Sequence, residues 1–186
     1  MRFMIASDIH GCAYYCAKML DAFWREKADR LILLGDILYH GPRNEIPPEY
    51  APKKVVEMLN GIKEKILCVR GNCDSEVDQM VLGFPIFPDA LTFYVKKHMI
   101  LAVHGHRADE KLFSLLGDGD VLLCGHTHVP ECESTGGFMR INPGSVSMPK
   151  QDSYNGYILM EATKLYWKDF EGEVHNKFDI REGKRK

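Results

Sequence analysis

Five short clusters of oxygen and imidazole donors are the residues of this chain best able to do chemistry. They are Asp8-Ile9-His10, Gly35-Asp36, Gly71-Asn72-Cys73-Asp74, His104-Gly105-His106 and Gly125-His126-Thr127-His128. Ligands separated by one residue on an extended segment point to the same side, so Asp8 with His10, and His126 with His128, can each grip one ion or straddle two. The full set is Asp8, His10, Asp36, Asn72, His104, His126 and His128. These are hard oxygen and imidazole donors with no obligatory thiolate, a mix that suits Mn²⁺, Fe²⁺, Zn²⁺ or Mg²⁺ rather than Cu(I) or an iron–sulfur cluster. The set exceeds what one catalytic ion uses while keeping a position open for water. Two ions sharing Asp36 as a bridge would accommodate it. A pair about 3.5–4 Å apart can bind a hydroxide between them and stabilise both oxygens of an in-line displacement.

Such a site needs elements that deliver the ligands to one place. Each cluster follows an apolar run of strand length, at residues 3–6, 31–34, 66–69, 99–103 and 121–124. Strands that end in ligands can gather them at one edge of a sheet, where open α/β sheets place their sites. Between the strands, residues 12–27 put Cys16, Leu20 and Phe23 at helical spacing,. Residues 53–60 read as a short helix stopped by Gly61, and Ser75 can cap another running to Met80 or Leu82,. The connection holding Pro42, Pro47, Pro48 and Pro52 must be an ordered or semi-ordered loop,. From Leu91 the texture changes. Residues 91–96 and 99–103 flank Lys97-His98 like a hairpin, and 109–116 read as a helix ending at Gly117,. Residues 131–134, 138–141, 157–161 and 165–169 read as antiparallel strands turning at Thr135-Gly136-Gly137 and Ala162-Thr163-Lys164. The pattern implies two sheets face to face with helices outside, in a single domain over 1–186.

Composition fits this reading. A chain of 186 residues, 45% hydrophobic, can build one sizeable core, and a formal charge of −2 exerts no long-range pull on nucleic acid or anionic membranes,. The basic cluster at 181–186 reads as a solubilising tail. No apolar stretch approaches the roughly 20 residues that span a bilayer, and no signal-peptide layout opens the chain, so a cytoplasmic location is expected. The six cysteines contain no Cys-x-x-Cys pair and read as reduced thiols, with Cys68 and Cys124 as small core residues,.

Asp-x-His, Gly-Asp, Gly-Asn-x-Asp, His-Gly-His and Gly-His-Thr-His, in this order, resemble the calcineurin-like metallophosphoesterases over nearly the whole stretch from Phe3 to about Tyr157. Longer pieces narrow the resemblance to small bacterial phosphodiesterases of that family: Ser7-Asp8-Ile9-His10-Gly11, His40-Gly41-Pro42-Arg43-Asn44, residues 69–80 and Asn142-Pro143-Gly144-Ser145. The resemblance implies a four-layer α/β/β/α sandwich of two mixed sheets, and two divalent ions, Mn²⁺ foremost. It puts Asp8, His10, Asp36 and His128 on one ion, and Asp36, Asn72, His104 and His126 on the other. The expected reaction is hydrolysis of a small phosphodiester by attack of a metal-bridging hydroxide, with Asp36 and Asn72 setting the ions. Cys73 would lie on the leaving-group side. Many relatives carry a histidine at that position, and a thiol with pKa about 8.5 is a weaker proton donor near neutrality than an imidazolium.

Other residues carry two readings each. His106, Arg43 and Asn44 either contact substrate phosphate, or serve as a rim histidine, a surface arginine and a turn-forming asparagine. Cys73 either meets substrate or fills space beside the ions. Arg70 pairs with a local carboxylate such as Asp74 or Glu76, and His40, His98 and His175 are structural or exposed. Phe84, Phe87, Phe93, Tyr94, Tyr157, Tyr166 and Trp167 pack in the core or on the sheets. Phe84-Pro85-Ile86-Phe87 is apolar for a loop and could join two copies in a homo-oligomer. The competing class is a protein-interaction scaffold on the same fold with weak or no catalysis; it is the reading that loss of ligands would favour. A nuclease would need a basic groove, which is not visible.

Overall fold

The computed structural model describes residues 1–107 and 110–182. Asp109, the expected start of the helix before Gly117, and the tail residues 183–186 lie outside the described residues. Strand β1 (Arg2–Ala6) leads through helix α1 (Ala13–Arg25) to β2 (Arg30–Leu33), then α2 (Pro52–Asn60), β3 (Ile66–Cys68) and α3 (Glu76–Val81). The hairpin β4 (Leu91–Val95) and β5 (His98–Ala102) follows, then α4 (Glu110–Phe113), β6 (Val121–Leu123), β7 (Pro130–Thr135) and β8 (Phe138–Pro143). Three strands close the chain: β9 (Gly156–Glu161), β10 (Lys164–Asp169) and β11 (Val174–Asp179).

The strands form two mixed sheets, one six-stranded in the order β11-β10-β9-β1-β2-β3 and one five-stranded in the order β4-β5-β6-β8-β7. Within the first, β1, β2 and β3 run parallel; within the second, β5, β6 and β8 do. The continuous apolar runs have a simple cause: both faces of the inner strands are covered, whereas the edge strand β3 leaves Leu67 41% exposed,. Met4, Ala6, Leu31 and Leu33 pack with Cys16, Met19 and Phe23 of α1 and Val55 and Leu59 of α2. Their neighbours Ile5, Ile32 and Leu34 point the other way, against Ile100, Ala102, Val121 and Leu123 of the second sheet,. Leu101, Val103, Leu122 and Cys124 complete the alternation beneath Leu112, Phe113 and Leu116. The result is a four-layer α/β/β/α sandwich, although its last helical layer is thin, since α4 spans only four residues among those described.

Local signals explain the helix ends. Ser75 and Asp78 form a reciprocal capping box at the start of α3,, and Pro52 occupies the first turn of α2,. Gly61 does end α2, but with φ −62, so it is not a left-handed cap.

Several expectations need correction. The ligand-bearing strands do not share one sheet: β1, β2 and β3 belong to the first, and β5 and β6 to the second. The C-terminal strands are not one antiparallel run. β8 lies parallel to β6, while β9 crosses to the first sheet and pairs with β1. The hairpin turns at Lys96-Lys97, one residue earlier than expected, with Lys96 at φ 55. Within the apolar segment 84–87, Phe84 is 4% exposed and Ile86 fully buried, so these two side chains pack in the core. Tyr94 is 68% exposed rather than packed.

Candidate metal centre

The carboxyl ends of the two parallel strand sets open onto a common edge, and the seven expected ligands meet there. Asp8 and His10 follow β1, Asp36 follows β2, Asn72 follows β3, His104 follows β5, and His126 and His128 follow β6. The loops interlock through their backbones: Asp8 N donates to Gly35 O, His10 N to Asp36 O and Gly11 N to Ile37 O, at 3.1, 2.9 and 2.8 Å. Five of the seven residues sit in the left-handed region, with φ of 59 at Asp8, 48 at His10, 56 at Asp36, 68 at His126 and 63 at His128. Residues with a Cβ adopt this conformation at a cost, and only surroundings that over-determine the backbone keep it.

Those surroundings are visible. Ser145 Oγ and Ser147 Oγ both donate to Asp8 O, at 2.8 and 3.2 Å. The buried Asp74 carboxylate accepts three backbone N–H groups, from Asp36 and Ile37 at 2.9 Å each and from Gly71 at 2.7 Å, locking two ligand loops together. Cys73 N donates to Asp36 Oδ1 at 2.8 Å. Glycine is required at 71, because a Cβ there would overlap the Asp36 carboxylate and backbone. Asn142 is fully buried at the end of β8; its Nδ2 donates to Gly125 O and Thr127 Oγ1, at 2.8 and 3.0 Å, which steadies the loop carrying His126 and His128.

The donor set fits divalent cations. His10, His104 and His128 each donate Nδ1–H to a backbone carbonyl, of Tyr39, Leu34 and Met148, at 2.7, 2.6 and 2.7 Å. A carbonyl can only accept, so the neutral rings turn their Nε2 lone pairs inward. His10 Nε2 and His128 Nε2 stand 3.2 Å apart, a separation that needs a proton or a cation between them. Asp8 Oδ1 is buried without a hydrogen-bond partner among the described residues, 3.5 Å from His10 Nε2 and 3.3 Å from His128 Nε2. Ligand atoms of Asp8, His10 and His128 all lie within 4.8 Å of one another, and so do those of Asp36, His104 and His126. Asp36 Oδ2 lies between the groups, 3.7 Å from His10 Nε2 and 3.4 Å from His104 Nε2. Asn72 Oδ1 is 3.0 Å from His104 Nε2.

The charges agree. Burial would raise the Asp8 carboxyl, yet the His10 and His128 rings hold it well below the usual carboxylate range. Burial would lower His104, but the Asp36 and Asp8 carboxylates raise it to about 9. Protons alone thus do the work that cations would do there. The Cys73 thiol goes the other way: burial and the Asp36 charge push it up to about 12, well above an ordinary thiol.

A cleft of about 720 Å³ opens over Asp36, Asn72, Cys73, His126 and His128. Arg43 and Asn44 line it, as do Tyr39 and Lys150, which no sequence pattern singled out. Asn44 Nδ2 also donates to His40 O at 2.8 Å. His106 does not line this cleft. It is half-buried beside His104 and His126, with ring centroids 5.4 and 6.2 Å away, and faces a small hollow of about 110 Å³ with Arg70 and Asp89. Arg70 pairs with Glu76 at 3.1 Å, and only its Nε reaches Asp74, at the backbone oxygen, 3.4 Å. Asp74, Ser145 and Ser147 have tasks that no residue pattern assigned: they touch the ligand backbones but not the cluster's centre.

Comparison with known proteins places these features in a wider group. Residues 1–165 match the calcineurin-like phosphoesterase superfamily domain. The chain is 44% identical over 165 residues to phosphodiesterase YfcE of Escherichia coli K12, covering 89% of this chain and 90% of that one. It is 31% identical over 173 residues to the probable metallophosphoesterase YsnB of Bacillus subtilis, covering 86% and 83%. The solved structure of the E. coli YfcE phosphoesterase superposes with a TM-score of 0.92 at 41% identity, over 97% of this chain and all of that one. Chaetomium thermophilum Vps29, at 16% identity and a TM-score of 0.63 over 96% of this chain and 97% of its own, shares the fold.

Proposed function

The chain belongs to the calcineurin-like phosphoesterase superfamily and is a phosphoric-ester hydrolase, and from this premise we propose that it cleaves small phosphodiesters at a two-ion site within a single domain over 1–186. Asp8, His10, Asp36 and His128 would hold one divalent ion, and Asp36, Asn72, His104 and His126 the other. Mn²⁺ is the preferred cation, with Zn²⁺, Fe²⁺ or Mg²⁺ also compatible with these donors. Bound cations would supply an acidified water as nucleophile and positive charge against the phosphoryl oxygens of an in-line displacement.

The observation that carries this reading is the convergence of inward Nε2 lone pairs and carboxylate oxygens, which a cation would satisfy with every ring neutral. The chain's own groups do the rest. The three carbonyl-bound Nδ1–H groups fix ring orientation, so that little reorganises on loading,. Asp74 and Cys73 N fix Asp36, which spaces the two groups of ligands. Arg43 and Lys150 bring positive charge to the cleft, where a phosphodiester anion would sit,. Cys73 would lie on the leaving-group side, where a thiol is a weaker proton donor near neutrality than an imidazolium. It donates poorly, so departure of the alcohol depends on the alcohol's own acidity. Aryl esters should therefore turn over at least about a hundredfold faster than alkyl esters; equal rates would remove Cys73's weakness as an explanation. All seven ligand positions are filled, which speaks against a purely scaffolding role. The thiols, none of them in a disulfide among the described residues, are compatible with a cytoplasmic setting, and no described helix is long and apolar enough to cross a membrane.

The test is the initial rate on bis(p-nitrophenyl) phosphate with chelator-stripped protein, before and after Mn²⁺ is added. Activity should appear only with the metal, and Asp36→Ala should abolish it at any metal concentration. An Asp36→Ala protein with normal activity would refute the shared-ligand arrangement.

A further inference from the structure

A second groove, of about 610 Å³, runs between α2 and α3 and joins the first at Tyr39, Cys73 and Ser75, which line both. Its character is different. Leu38, Val56, Val77 and Val81 give it carbon walls, and its charged residues are Lys53, Glu57 and Asp78. Asp78 is already committed, since its Oδ2 accepts from the backbone N and hydroxyl of Ser75. Neither Arg43 nor Lys150 lines it, and its own Lys53 is offset by Glu57 in the same lining. Helix α3 buries no residue, and it leaves Val77 68% and Val81 48% exposed beside the opening. Apolar side chains held at a surface, next to a polar cleft and continuous with it, are an arrangement that binds something.

We propose that this groove is the subsite for one ester group of the phosphodiester, and that the group is an uncharged alkyl or aryl alcohol. The assignment rests on the phosphodiesterase reading above and adds to it the class of alcohol. The phosphate would occupy the cleft lined by Arg43 and Lys150, and Cys73, at the junction, would lie beneath the ester oxygen. A charged or richly hydroxylated alcohol would lose solvation against Leu38, Val56, Val77 and Val81, which offer it no hydrogen bond,. A carbon chain of a few atoms exchanges water for Val56, Val77 and Val81.

Dimethyl, dibutyl and dihexyl phosphate test this on the Mn²⁺-loaded protein, by calorimetry and as competitive inhibitors of bis(p-nitrophenyl) phosphate hydrolysis. Affinity should rise on the order of three- to fourfold per methylene over the first few added. Val77→Glu and Val81→Glu, made separately at exposed positions where the core is untouched, should flatten the series. Equal affinities across the series in the unaltered protein would overturn the proposal, and so would a chain-length dependence that both variants retain. A flat series together with a dimer in sedimentation that Val77→Glu dissociates would assign the face to a second copy instead. The underlying reading fails separately: metal-loaded protein that leaves bis(p-nitrophenyl) phosphate intact refutes phosphodiester hydrolysis, whatever the dialkyl phosphates do.

Discussion

At the level of single residues, the site divides into groups that face its centre and groups that hold those in place. The sequence displays only the first kind. Asp8, His10 and His128 announce themselves by type and spacing, because few other roles demand such residues in that order. Asp74 does not, since an aspartate one step from Cys73 could serve a turn, a cap or a surface pair. Its actual task, accepting the N–H groups of Asp36, Ile37 and Gly71, depends on two loops that meet only after folding. Asp74→Ala would strand three buried donors at about 1 kcal/mol or more each. Chemical denaturation should therefore show a loss of about 3 kcal/mol, accompanied by weaker Mn²⁺ binding because Asp36 loses its anchor. A variant with unaltered stability would mean that water or a rearranged loop replaces the carboxylate.

At the level of elements, strand positions were readable and partnerships were not. The five ligand-bearing strands fall within one residue of the apolar runs that foretold them, because each run is mostly buried and stops where the polar ligands start. Nothing in β8 distinguishes a strand lying parallel to β6 from one in a meander. The last strand, β11, was missed because it is an edge strand exposed over most of its length, without the apolar alternation that marks a half-buried strand,. The end of α1 shows what joins elements across the first sheet. Tyr157 Oη on β9 donates to Glu26 Oε1 at 2.8 Å, Lys168 on β10 pairs with the same oxygen, and Arg25 Nη2 donates to Tyr157 Oη at 3.4 Å. Burial would raise the Glu26 carboxyl, but Lys168 and Tyr157 lower it below its ordinary 4.5. A carboxyl depressed in the folded state stabilises fully above its unfolded pKa, and that contribution fades as pH falls through the folded value. Glu26→Gln should thus cost about 1–2 kcal/mol at pH 7 in urea titrations. The gap to the unaltered protein should narrow only below about pH 4.5. A gap constant down to pH 3 would mean that the charge of Glu26 contributes nothing.

At the level of the whole molecule, the expectation of one sheet edge and the finding of two sheets lead to different physics. With a single sheet, the ligands would ride on one rigid body. Here Asp8, His10, Asp36 and Asn72 come from the first sheet, and His104, His126 and His128 from the second. Among the described residues the two bodies are held face to face mainly by the apolar layer between them, with Trp167 Nε1 donating to Asn142 O at 2.8 Å as a cross-tie. Cations seated as proposed would act as a rivet through both plates at their open end. Loading would then be felt mechanically as well as catalytically. Saturation at a hundred times Kd adds about 2.7 kcal/mol, so Mn²⁺ should raise the melting temperature by roughly 5–10 °C. Amide exchange around Gly105 and Gly125 should slow in step. A chelator would do more than silence such an enzyme: it would let the sandwich breathe at its mouth.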